Sequence, residues 1–136
     1  MKKLSLFLLG VLLSSCASMH YGNLTDLAPS NDAYLAQDAV SQLTPIYPPA
    51  QNTFYIHQRI NDSFGVNLIR EMRKKGYGVI ENIQPKQKAN FFYVVDTLTA
   101  KPLYRVSLYI GSQTLSRVYA QTRGKLVPVS PWSRKE

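Results

Sequence analysis

The sequence predicts an α+β fold, a small single domain in which an antiparallel or mixed sheet of four to five strands carries two helices on one face. Three observations lead there. Two stretches in the first half space their apolar residues at helical intervals, the period changes to two from residue 90 onward, and 136 residues are enough for one core and no second one. Hydrophobic side chains at 45% and aromatics at 11% exclude disorder over most of the length.

The chain opens with Met1-Lys2-Lys3, an almost wholly apolar run from Leu4 to Leu13, and then Ser14-Ser15. A charged start, a short greasy middle and a small-residue end are the three regions of a secretory signal peptide, here 1–15. The apolar run is too short to cross ~30 Å of hydrocarbon. Leu13-Ser14-Ser15-Cys16 resembles the bacterial lipobox, which implies cleavage between Ser15 and Cys16 and a diacylglycerol on the Cys16 thiol. Those acyl groups are the only non-protein groups expected, with no cofactor and no metal. After Cys16, Ala17-Ser18 lacks the aspartate that retains such lipoproteins at an inner membrane, which favours the periplasm-facing outer membrane. Residues 16–31 are small and polar and are expected to form a lipidated flexible leader before a domain at 32–136. Tyr21, Leu24 and Leu27 are too apolar for a pure spacer, so they either order on a partner or pack back on the domain.

Ser30, Asn31 and Asp32 offer N-cap side chains to a first helix, with Leu35, Ala36, Ala39, Val40 and Leu43 on one face and an end near Thr44-Pro45. Tyr47-Pro48-Pro49 enforces an extended turn before a β-rich run from Thr53 to His57. Asn61 or Asp62 caps a second helix whose apolar face is Phe64, Leu68, Ile69 and Met72, with Gly76 where a C′ glycine belongs. Arg70, Arg73, Lys74 and Lys75 fill its last turns, where cations meet the negative end of the helix dipole. Tyr77 to Ile80 gives another strand. Phe91 to Leu98, Tyr104 to Ile110 and Thr114 to Gln121 then alternate as an antiparallel meander, turning at Lys101-Pro102, Gly111-Ser112 and Arg123-Gly124-Lys125 before a last edge strand at Leu126-Val127. Pro128 and Pro131 argue against further pairing near the C-terminus.

The formal charge is +8, and Lys2 and Lys3 leave with the signal, so the mature chain carries +6. Arg70, Arg73, Lys74 and Lys75 are the densest basic surface and suit either plain solvation or an anionic partner or headgroup. Nucleic acid is disfavoured, because no recognition-helix or RNP signature accompanies the basic residues. No catalytic set emerges: His57, Asp96 and a serine lack a Gly-x-Ser-x-Gly elbow, and two histidines without helical spacing make poor zinc ligands. Trp132, in a Pro-flanked tail, either seals the core edge or anchors in a partner's pocket. Nine tyrosines, among them Tyr93, Tyr104, Tyr109 and Tyr119, put aromatics on both sheet faces.

The lipobox, Tyr21-Gly22-Asn23, Asp38-Ala39-Val40, Tyr47-Pro48-Pro49-Ala50, Lys75-Gly76-Tyr77-Gly78-Val79, Tyr104-Arg105-Val106, the run Gly111 to Tyr119 and the ending Trp132 to Glu136 together resemble the TrbH family of conjugal transfer lipoproteins. That resemblance implies a structural, non-enzymatic component of a type IV secretion system, lipid-anchored at the outer membrane, contacting other core-complex subunits in a multimeric assembly. Some lipoproteins at that position carry a domain resembling the secretin N0 module, an order of elements compatible with this one. The alternative is a lipid-tethered periplasmic module for peptidoglycan or transferred DNA.

Overall fold

The computed structural model describes residues 20–98 and 102–136, so the signal peptide, Ser15, Cys16 and Lys101 of the expected turn lie outside the described residues. Two helices lie against one face of the main sheet, as the sequence predicts. Helix α1 (Pro29–Ile46) buries Leu35, Ala36, Ala39, Val40 and Leu43. Its start differs from expectation: Pro29 needs no N–H partner at the first helical position, and Ala28 sits at the cap without a side-chain bond. Asn31 and Asp32 fall inside the first turn and donate their N–H groups to the Ala28 carbonyl at 2.9 and 3.1 Å. Helix α2 (Ser63–Lys74) follows its pattern closely. Asp62 Oδ1 accepts the Gly65 N–H at 2.7 Å, Phe64, Leu68, Ile69 and Met72 are buried, and Gly76 takes φ +96°.

The main sheet has the order β1-β4-β5-β6-β7, formed by Gly22–Asn23, Phe91–Thr97, Leu103–Ile110, Gln113–Thr122 and Lys125–Pro128. Its meander β4 to β7 is antiparallel, while β1 runs parallel to β4 with Gly22 opposite Val94. The odd-numbered face of β4 and its neighbours receives the helices: Phe64 of α2 packs on Tyr93 at 5.2 Å between ring centroids, and Tyr34 of α1 meets Tyr119 edge-on at 6.3 Å. Tyr93, Tyr104 and Tyr119 are buried. Two short strands, β2 (Thr53–Tyr55) and β3 (Gly78–Ile80), form a separate parallel pair. Side chains splice this pair onto β4. Asn90 accepts the Tyr55 N–H at 2.7 Å and donates to the Thr53 carbonyl at 3.1 Å, and Gln58 does the same for the Tyr93 N–H and carbonyl at 3.0 and 3.2 Å. Two amides thus bond to backbone groups as a neighbouring strand would.

Two expectations are corrected. The segment read as a leader over 16–31 is part of the sheet from Gly22, because Asn23 pairs with Val95 and the Leu24 N–H donates to the Val95 carbonyl at 2.8 Å. The C-terminal prolines do not end pairing: β8 (Ser133–Lys135) returns to β6 with Ser133 opposite Ser116. The physical reason is a bulge that uses side chains where proline has no donor. The Val129 N–H reaches the Val118 carbonyl, Ser130 Oγ accepts the Val118 N–H at 2.9 Å, and Arg117 Nε donates to the Ser130 carbonyl at 2.9 Å.

Candidate functional site

Helix α2 ends in cations and buries one stripe, which leaves Val66 45% exposed on its flank although the residue is apolar. Beside it the chain opens into a groove of about 610 Å³, with a floor of Ile60, Val66 and Ile69. Arg70, Arg73, Lys74 and Glu81 form the rim. Three of the four cations singled out in the sequence therefore share one concave surface. Lys75 does not line it; its N–H closes the last turn of α2 onto Glu71 and Met72 at 3.1 Å each. The rim cations are unequally engaged. Arg73 Nη2 donates to the Val79 carbonyl at 3.0 Å and pairs with Glu81 at 3.2 Å, Lys74 pairs with Glu71 at 3.1 Å, and Arg70 Nη1 donates, among the described residues, only to the neutral Asn67 Oδ1 at 3.2 Å. Ile60, Val66 and Glu81 were not anticipated. An apolar residue off the buried stripe was the available signal for Val66, whereas Ile60 and Glu81 come from segments that only the fold brings beside α2.

Outside the groove the fold forms polar contacts that the sequence did not disclose. Asn23 Nδ2 donates to Asp32 Oδ1 at 3.0 Å, and Tyr93 Oη donates to Asp62 Oδ2 at 2.5 Å. Burial raises the Asp32 carboxyl from 3.8 to about 6, and burial followed by the Asp62 carboxylate pushes the Tyr93 hydroxyl well up. Asp96 and Arg105, cross-strand partners, make a two-pronged ion pair at 3.1 and 2.6 Å that raises the guanidinium further. Each Asp96 oxygen accepts a bond from Arg105, and among the described residues no hydrogen bond joins Asp96 to His57. Among the described residues no group of three His, Cys, Asp or Glu side chains is placed to hold a metal ion, and no helix is long and apolar enough to cross a membrane.

The four candidate contact residues are separated by the sheet. Tyr21 stacks on Phe92 at 4.5 Å and meets Tyr109 edge-on at 6.1 Å, on the face away from the helices. Leu27 packs on the core and Leu24 is 56% exposed, both near the β1 edge. Trp132 packs on the core at the opposite edge, within the bulge before β8.

A family model described as conjugal transfer protein TrbH matches residues 18–136. The chain belongs to the TrbH family. No curated protein and no solved structure matches it. Membership makes it a conjugal transfer component, of the kind that serves type IV secretion. The stretches that resemble TrbH meet one another in space. Asp38 of α1 accepts both Arg117 Nη1, at 2.9 Å, and the Tyr119 hydroxyl. Gln113 Oε1 accepts the Tyr47 hydroxyl at 2.6 Å and Arg134 Nε at 2.9 Å. Tyr77 Oη donates to the Tyr47 carbonyl at 2.5 Å. These TrbH-like residues tie α1, the Pro-rich turn, β6 and the C-terminal strand together.

Proposed function

We propose that this TrbH-family chain is a non-enzymatic lipoprotein, acylated at Cys16 and held on the periplasmic face of the outer membrane, where it anchors and helps assemble the core channel of a conjugative type IV secretion system. The family match over 18–136 carries the reading, because it begins just after the lipobox ending at Cys16. Two or three acyl chains at ~0.8 kcal/mol per buried CH2 make attachment effectively permanent. Five residues separate Cys16 from β1, a reach of at most about 20 Å at ~3.3–3.6 Å per residue, so the domain rides close to the lipid surface. That geometry suits a subunit that fixes neighbours at the membrane better than one that searches the periplasm.

Cys16→Ser tests the anchor: the variant is expected to leave the membrane fraction and to lower conjugation frequency. Unchanged fractionation and transfer refute it. A pulldown from solubilised membranes tests the assembly role, with channel subunits expected in the eluate; recovery of DNA or peptidoglycan in their place supports the tethered binding module.

A further inference from the structure

We infer that the groove beside α2 is a docking site for an acidic, amphipathic segment of another protein of the transfer apparatus. The inference rests on the assembly role proposed above and names the surface that performs it. Concave shape, an apolar floor and a cationic rim occur together here, the combination that receives an apolar face flanked by carboxylates. Three cations face one acid on the rim, and Arg70 has no carboxylate partner among the described residues, its guanidinium bonded only to the Asn67 amide oxygen. A guanidinium pairs with carboxylates through a planar fork, so an unclaimed one beside an exposed valine selects for acid next to hydrophobe.

A second copy of this chain has little to offer the groove. Of its eight acidic side chains, six already bond to groups of the same chain. The two left, Asp26 and Glu136, lie at opposite ends of the domain sequence and make no acidic stretch. A bilayer is also a poor fit. Flat headgroups touch the rim and leave the floor of Ile60, Val66 and Ile69 unfilled, while Glu81 opposes phosphate.

The test uses the full acylated protein in neutral detergent and a fluorescein-labelled synthetic helix with a leucine face flanked by glutamates, followed by anisotropy. A second helix with lysine in place of glutamate controls for adsorption to micelles. The wild type is expected to prefer the glutamate helix, and the double variant R70E/K74E to lose about tenfold or more of that affinity while gaining for the lysine helix. R70E alone, with an unchanged melting temperature, guards against a folding artefact and is expected to move both affinities in the same directions by less. Equal binding of the two helices, or a glutamate affinity that R70E/K74E leaves intact, overturns the proposal. So does binding of the unacylated Cys16→Ser protein to phosphatidylglycerol vesicles that R70E/K74E abolishes, without peptide binding, which favours a membrane, or R70E/K74E abolishing self-association, which favours a second copy. In cells R70E/K74E is expected to stay in the membrane fraction and still reduce conjugation. Loss of peptide binding specificity with a normal Cys16→Ser result rejects the groove alone, whereas a silent Cys16→Ser rejects the anchor on which it rests.

Discussion

Gly65 is the third residue of α2, where helix propensity alone favours alanine by ~1 kcal/mol. The tertiary structure reverses that sign. A Cβ at Gly65 falls 2.0 Å from Tyr93 Oη, 2.8 Å from its Cζ and 3.1 Å from Ile60 Cγ2. Tyr93 has no room to retreat, being fully buried on β4 with its ring against Phe64 at 5.2 Å. Its hydroxyl also holds Asp62, the residue that caps α2 through the Gly65 N–H, so displacing the ring loosens the cap as well. Overpacking costs about 1–3 kcal/mol and loss of the buried hydroxyl–carboxylate bond about 1.5–3, against ~1 gained from propensity. Gly65→Ala is therefore expected to destabilise by about 2–4 kcal/mol. Equilibrium urea unfolding followed by Trp132 fluorescence reads this as a midpoint lowered by about 1–2 M, for an m-value near ~2 kcal/mol/M. In a Tyr93→Phe background the 2.0 Å contact is gone, and the same substitution is expected to cost less by at least ~1 kcal/mol. A raised midpoint, or an equal cost in both backgrounds, refutes the close packing of α2 on β4.

Three further outcomes are expected. Burial raises Asp32 from 3.8 to about 6, so the folded chain holds that proton more tightly than the unfolded one; stability falls as pH rises across this window and stays lower above it. Asp32→Asn is expected to remove that slope and to gain about 1–2 kcal/mol at neutral pH, the full linkage value of ~3 being offset in part by the weaker bond that a neutral amide oxygen accepts from Asn23; an unchanged slope in urea titrations refutes it. Asp38→Ala strands the half-buried Arg117 guanidinium and the Tyr119 hydroxyl, so a loss of about 2–4 kcal/mol is expected together with faster amide exchange at Val118 and Val129, and retained protection there refutes the tie between α1 and the bulge. His57→Ala is expected to leave conjugation frequency at the wild-type level, since among the described residues Asp96 bonds to Arg105 and no hydrogen bond joins it to His57; a large loss with normal protein levels supports a hydrolytic reading.

How much of this was legible beforehand depends on the range of the interaction concerned. Helix α2 was legible in nearly every detail, because cap, stripe, basic end and C′ glycine are all set within a few residues of chain. The start of α1 was misplaced by a turn, since Ser30, Asn31 and Asp32 satisfy the capping rule locally, but Asn31 is drawn to the Gly124 carbonyl and Asp32 to Asn23. The β4 to β7 meander followed from period-two alternation and its turns. Strands β1 and β8 did not, being two and three residues long with pairing partners far away in sequence.

The groove divides along the same line. Its cations were visible as a run at the end of a helix, but a run of charge has no shape, and only the packing of α2 beside Ile60 and Glu81 gives those cations an apolar floor. By itself the sequence determined the fold class, the family and the helix faces, since each is written in local spacing or in ordered short motifs. The tertiary structure alone decided that Gly22–Asn23 of the expected leader pair with β4, that the C-terminus returns to β6, that the TrbH-like residues bond to one another, and which cations share a concave surface. Each of these rests on contacts between segments distant in the chain, whose partners are chosen by burial and hydrogen-bond satisfaction once the core has formed.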